Sequence, residues 1–85
     1  MTRLVELRLP EIDVAGVRLA ASSWYFATGQ QVVEEDHVVE ILAGDVTIDL
    51  AAPASGVLAE RCVRVDEPLA PGQLLARIRC SEWDD

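Results

Sequence analysis

The chain of 85 residues contains no lysine, and its seven basic residues are all arginines. It therefore has no ε-amino group on which a cofactor could be carried as a stable amide. Its two cysteines, Cys62 and Cys80, form neither a CxxC pair nor a cluster with histidine, so we expect free thiols rather than disulfides or a structural zinc site. No apolar run approaches the roughly 18 residues that cross a bilayer. The first residues alternate polar and apolar side chains and do not resemble a signal peptide. We therefore expect a cytoplasmic protein.

Acidic residues dominate the charged ones, with fifteen carboxylates against seven arginines and a net charge of −8. No basic stripe is present, so binding to nucleic acid is not expected, and we expect no membrane partner either. Apolar residues make up 51% of the chain and occur throughout it, which argues against disorder. This length predicts one domain with a single core.

The apolar residues recur mostly with a period of two, which is typical of half-buried β-strands. Gly44-Asp45 and Pro71-Gly72 supply turn residues between such segments. No window supports an amphipathic helix of about ten residues or more. About eight short strands separated by turns predict an all-β sandwich or barrel. The apolar segments lie at residues 4–9, 17–20, 24–28, 38–42, 46–50, 57–65 and 74–78.

An internal repeat appears when the chain is shifted by 37 residues. Val38 then falls on Leu75 and Ile41 falls on Ile78, with the apolar positions in phase. This predicts two similar motifs related by a pseudo-twofold axis, in which each motif covers the apolar face of the other. The residues that we expect to be buried as equivalent partners are Val32, Val38, Ile41, Leu69, Leu75 and Ile78.

Several segments, in order and almost without gaps from Trp24 onward, carry motifs that resemble the biotinyl/lipoyl domain family. They lie at residues 5–12, 17–32, 35–40, 46–50, 53–58 and 66–78. The resemblance implies a flattened eight-stranded barrel, or barrel-sandwich hybrid, of two four-stranded antiparallel sheets. It implies a domain over residues 1–80 and leaves residues 81–85 as a short acidic tail.

In that family a lysine at the tip of a β-hairpin carries biotin or lipoate. The family spacing places this position eleven residues before Gly56, which is Asp45. The hairpin residues are then Gly44, Asp45 and Val46. Val46 fits the lipoyl subtype, whereas the flanking methionines of biotin carriers are absent. Because an aspartate cannot form the amide, the resemblance implies a domain without a cofactor.

The leading hypothesis is a non-enzymatic interaction or assembly module that serves a 2-oxo acid dehydrogenase or a biotin-dependent carboxylase complex, as a monomer or weak homodimer. An alternative is an unconventional carrier that uses Cys62 or a noncovalent group. Alternation that turns Val57, Val63 and Val65 inward predicts that Cys62 points outward. A weaker alternative is an adaptor of the membrane-fusion kind. In such adaptors a long helical hairpin usually interrupts the carrier turn, which here is only Gly44-Asp45.

Other candidate residues have simpler interpretations. His37 follows the carboxylates of residues 34–36 and could serve as a base or metal ligand, but a solvated charged turn is favoured. Ser22 and Ser23 lack the pattern of a nucleophile with a histidine partner. We expect Trp24 to anchor the core and Cys80 to be inert. Trp83, in the acidic tail, packs either on the domain or on a partner.

Overall fold

The computed structural model describes residues 2–12 and 16–81, which form eight β-strands. The strands lie in two four-stranded sheets with the orders β1-β8-β6-β3 and β5-β4-β2-β7, and all neighbouring strands in them are antiparallel. This confirms the predicted all-β architecture. The strands are β1 (Thr2–Arg8), β2 (Leu19–Trp24), β3 (Gln31–Val32), β4 (His37–Ala43), β5 (Val46–Ala51), β6 (Gly56–Arg61), β7 (Pro68–Leu69) and β8 (Leu74–Ser81). These residues contain no helix that could cross a membrane.

The repeat in the sequence is a repeat in the structure. Strands β2, β3 and β4 each begin 37 residues before β6, β7 and β8. Strand β5 pairs with β4 as β1 pairs with β8, so the two sheet orders superpose strand for strand. The halves also exchange their shortest strands, because β3 pairs with β6 and β7 pairs with β2. The predicted pseudo-twofold relation is therefore confirmed.

Turn geometry follows the same repeat. The backbone has positive φ at Gly29 and at its equivalent Asp66, and again at Glu35 and its equivalent Gly72. In each pair one member is glycine, which adopts this conformation without steric cost. The turns are closed by side chains that accept a hydrogen bond from the backbone N–H three residues earlier: Gln30 from Ala27, Glu67 from Arg64, Asp36 from Val33 and Gln73 from Ala70.

The core lies between the two sheets and is almost wholly aliphatic. Five of the six predicted positions are buried, and Leu69 is half-buried and packs against the same core. Ile41 and Ile78 are both 0% exposed, as expected of equivalent residues. Trp24 is half-buried and also packs against the core, in agreement with its predicted role as an anchor.

The predicted alternation of buried and exposed residues continues past the points where two of the strands end. Strand β2 ends at Trp24 and β6 ends at Arg61, so the alternation does not continue through the following turns. Val65, predicted to point inward, is 50% exposed, and Val57 is only half-buried. Val65 lies beyond the end of β6 and forms an isolated parallel bridge with Ala21. Within β6, a register shift between Leu58 and Glu60 interrupts the alternation that starts at Val57. The predicted tail, with Trp83, lies outside the described residues apart from Ser81, which ends β8.

Candidate functional site

A tight hairpin joins β4 to β5 through Gly44 and Asp45, with Ala43 paired to Val46. Gly44, the first turn residue, has a φ of +61°, whereas Asp45 is not in the positive-φ region. This is the type II′ pattern, whose twist matches that of the flanking strands. The Gly44 N–H also donates to the carbonyl of Arg18 at 3.2 Å, which fixes the tip against the preceding loop.

Asp45 is exposed at the tip of this hairpin. Within residues 2–12 and 16–81 its carboxylate accepts no hydrogen bond and forms no ion pair. The neighbouring Val46 is 61% exposed. Val17 packs close behind the turn, since its Cγ1 would lie 3.0 Å from a Cβ placed on Gly44. The hairpin therefore presents the carboxylate of Asp45 on a tight turn.

A second feature is a network of polar side chains on the outer face of the β5-β4-β2 part of its sheet. The Ser22 hydroxyl donates to Glu40 Oε1 at 2.6 Å, and the Tyr25 hydroxyl donates to Asp49 Oδ1 at 2.9 Å. Tyr25 also lies 3.4 Å from Glu40 Oε2, and His37 Nδ1 lies 3.4 Å from Asp49 Oδ2. We call these five residues the carboxylate network.

The network raises the pKa of Tyr25 and does not activate a nucleophile. Its hydrogen bond to Asp49 raises the pKa of Tyr25 to about 12, with smaller contributions from burial and from Glu40. The Ser22 hydroxyl is committed to a carboxylate rather than to an imidazole. In the part of the chain that the structure describes, no group of three His, Cys, Asp or Glu residues could hold a metal ion.

The equivalent face of the other sheet holds Cys62, the counterpart of Tyr25. The thiol is on the outer face as predicted but is half-buried, 3.8 Å from Arg77 Nη1. Arg77 forms an ion pair with Glu60 at 2.6 Å. Burial, reinforced by Glu60, raises the pKa of the Cys62 thiol, and Arg77 only partly opposes this. A thiol that stays protonated at neutral pH is a poor nucleophile. Cys80 is buried.

The family model described as biotin-requiring enzyme, which covers biotinyl and lipoyl domains, matches residues 5–78. The chain belongs to the biotinyl/lipoyl domain family. The match runs from β1 into β8 and includes the Gly44-Asp45 hairpin. Biotinyl/lipoyl domains are carrier domains rather than catalytic ones.

One curated relative is a much longer protein. The biotinyl/lipoyl domain described here is 24% identical over 74 residues to the dihydrolipoyllysine-residue succinyltransferase component of the 2-oxoglutarate dehydrogenase complex from Buchnera aphidicola subsp. Schizaphis graminum (strain Sg). The aligned region covers 87% of this chain but only 19% of that protein. The chain therefore matches about a fifth of the length of the succinyltransferase component.

The structure thus separates the candidate residues predicted from the sequence. Asp45 lies in the turn between β4 and β5 of one sheet, whereas Cys62 directly follows β6 of the other, and His37 joins the carboxylate network. Sequence reasoning missed the pairing of Glu40 with Asp49, which lie directly opposite each other on β4 and β5. A signal for it was present, because the two residues are equally distant from the Gly44-Asp45 turn and hairpin register follows from the turn.

Proposed function

We propose that this biotinyl/lipoyl domain is not modified and acts as a protein-interaction or assembly module of a multienzyme system. The observation that carries the proposal is the hairpin tip. It presents the free carboxylate of Asp45, and the 85 residues contain no lysine. Biotin and lipoate are joined to a primary amine as amides, so the residues present do not fit either group. The domain itself is then not an enzyme.

The hairpin supports this reading because it is intact. A type II′ turn, an exposed tip residue and a close-packed Val17 hold Asp45 on a defined projection. An unmodified tip on a tight turn suits recognition by a partner rather than transfer between active sites. The likeness to the succinyltransferase component favours a 2-oxo acid dehydrogenase system over a carboxylase system. We infer a cytoplasmic protein partner and a monomeric or weakly dimeric domain.

The direct test is the intact mass of the protein after expression with lipoate, biotin and their ligases. We expect the unmodified mass, because no ε-amino group is available. A stoichiometric biotinyl or lipoyl adduct would contradict the proposal. An acyl group mapped to Cys62 would instead support a thiol carrier, against the raised pKa of that thiol.

A second test restores the missing amine. Asp45→Lys should accept lipoate from a lipoate ligase at least weakly, because it places an ε-amino group at the exposed tip of the β4–β5 hairpin. The stability change should stay within about 0.5 kcal/mol, since the side chain is exposed. Gly44 is best left unchanged, because its positive φ and the nearby Val17 make a side chain there unfavourable.

Glu34→Lys is a suitable control. Glu34 is exposed in the turn between β3 and β4, and in the described residues its carboxylate accepts no hydrogen bond. Glu67 is less suitable, because its carboxylate closes a turn. We expect no lipoylation of Glu34→Lys. Equal labelling at both sites, or none at Asp45→Lys in a folded protein, would show that this hairpin lacks carrier geometry.

A further inference from the structure

An open groove of about 530 Å³ lies between the end of β2 and the loop that follows β6. Trp24 lies beside it, half-buried, with the guanidinium carbon of Arg61 5.4 Å from the ring centroid. Val65, 50% exposed, adds apolar surface. The lining residues are Ser22, Ser23, Trp24, Arg61, Val63, Arg64 and Val65.

The groove is cationic in a strongly acidic protein. Arg61 and Arg64 line it, and no lining residue is acidic. The carboxylate of Glu40 lies behind the lining Ser22, from whose hydroxyl it accepts a hydrogen bond at 2.6 Å. In the described part of the chain the Arg64 guanidinium has no hydrogen-bond or ion-pair partner. The nearest acids on the following loop, Asp66 and Glu67, border an adjoining depression that also includes Arg64. Glu67 is occupied, because its carboxylate accepts the Arg64 backbone N–H at 2.9 Å.

The two halves of the domain differ most clearly here. Trp24 and Arg61 are equivalent residues under the 37-residue repeat and stack on each other. On the opposite side, the positions equivalent to Ser22, Ser23 and Arg64 are Ala59, Glu60 and Ala27. There Arg61 Nη1 also contacts the Phe26 carbonyl, at 3.4 Å. The two serines and the guanidinium of Arg64 therefore lie on only one of the two sides that the repeat makes equivalent.

We propose that this groove binds an acidic segment of a partner protein. Carboxylates of the segment would pair with Arg61 and Arg64, and an apolar side chain would pack on Trp24 and Val65. Arginine is suited to such pairing because its planar fork binds carboxylates in two-point fashion. An open groove suits an extended peptide, whereas small-molecule sites enclose most of their ligand. The inference rests on the proposed role as an interaction module and names the chemistry of its partner.

The test is a titration of 15N-labelled protein with an acetylated, amidated peptide of alternating glutamate and leucine, followed by NMR. We expect saturable shifts at Ser23, at the Trp24 indole N–H and at Arg61 and Arg64. The peptide with glutamine in place of glutamate should bind at least tenfold more weakly, because it has no charge. Equal binding of the two peptides, or shifts spread over both sheets, would overturn the proposal.

A matched pair of variants locates the charge. Arg64→Gln should weaken binding of the acidic peptide about two- to fivefold, within the range for an exposed ion pair. Arg79→Gln removes the same charge from an exposed position on β8, away from the groove lining, and should leave the affinity unchanged. Equal weakening by both variants would show a general charge effect and overturn the site. Tighter binding of a single-stranded oligonucleotide at the same residues would also overturn it.

The outcomes for the two proposals are distinct. If ligases leave the domain unmodified and no acidic peptide binds, the groove inference fails and the proposed loss of carrier function stands. If the wild-type domain accepts lipoate or biotin, the proposed function fails whatever the peptide does. Spectra of both arginine variants should overlay on wild type outside the groove, which shows that folding is intact.

Discussion

The two sheets share one backbone plan but carry opposite charges. The strands of the β1-β8-β6-β3 sheet contain five arginines and two glutamates: Arg3, Arg8, Arg61, Arg77, Arg79, Glu6 and Glu60. The strands of the β5-β4-β2-β7 sheet contain no arginine and two carboxylates, Glu40 and Asp49. The strands of the two sheets therefore superpose, but their side chains differ in charge.

The difference follows from which side of each sheet a residue faces. Ile41 and Ile78 meet in one core, where a change of volume or polarity is costly, so the two halves keep the same residue. Glu40 and its equivalent Arg77 face outward, where most substitutions cost little. The divergent outer faces are accordingly where the carboxylate network, the Cys62–Arg77 contact and the cationic groove are found.

The largest loss of stability is expected at a strand position where the two halves carry residues of very different size. Gly56 in β6 is equivalent to the buried Leu19 in β2. A Cβ on Gly56 would overlap the carbonyl group of Arg79 on the paired strand, which is backbone and cannot easily move. Gly56→Ala should therefore lower the free energy of unfolding by about 4 kcal/mol or more, as measured by urea denaturation.

Gly29→Ala is the control for backbone strain alone. Gly29 has a φ of +96°, but a Cβ there would meet no atom within 4 Å. We expect it to cost only about 1–2 kcal/mol, the usual penalty for a left-handed residue. If the two alanine variants were equally destabilised, the close approach of Gly56 to β8 would not be the cause.

The next prediction tests whether the two halves share the core equally. Ile41→Ala and Ile78→Ala each remove a fully buried side chain from equivalent positions. Each should cost about 2–5 kcal/mol, because a cavity is left between the sheets, and the two costs should agree closely. Thermal and urea unfolding would measure both. Melting temperatures close to wild type for both variants would show that the repeat alignment does not describe the core.

Most of the fold could be predicted from the sequence, because the period of two and the 37-residue repeat are both visible in the order of the residues. Ile41 and Ile78 were placed correctly for this reason, and so was the Gly44-Asp45 turn. The prediction for Val65 is wrong, because Val65 lies beyond the end of β6 and bridges to Ala21, a contact that alternation along one segment does not reveal. The contact of Tyr25 with Asp49 was also missed. It joins a residue just after β2 to β5 across β4, so it depends on the strand order of the folded sheet.

A smaller effect is expected at the turns, where the halves use different residues for one contact. Gln30 accepts the N–H of Ala27 at 2.6 Å, and Glu67 accepts that of Arg64 at 2.9 Å. Gln30→Ala and Glu67→Ala should each cost about 1 kcal/mol, the usual net value of such a hydrogen bond. Because the turns share no partners, the double variant should lose the sum within about 0.5 kcal/mol in urea denaturation. A clearly larger loss in the double variant would show that the turns are coupled.

The smallest expected effect concerns the pKa of Tyr25, the residue equivalent to Cys62. The pKa of Tyr25 is raised to about 12, first by its hydrogen bond to Asp49, from an unperturbed value of 10.0. Because the folded value is the higher one, this stabilisation is fully present below about pH 10 and is lost as pH rises towards 12. Tyr25 is the only tyrosine, so ultraviolet absorbance of the phenolate reports it alone.

We expect the titration midpoint of the folded protein to lie near 12, with circular dichroism followed in parallel to exclude alkaline unfolding. Asp49→Asn removes the largest cause and should lower the midpoint most. Glu40→Gln should lower it less, since Glu40 lies 3.4 Å from the hydroxyl whereas Asp49 lies 2.9 Å away. A wild-type midpoint near 10 in folded protein, or a larger shift from Glu40→Gln, would show that Asp49 does not hold the Tyr25 proton. The outer face would then be a set of separate solvated groups rather than a connected network.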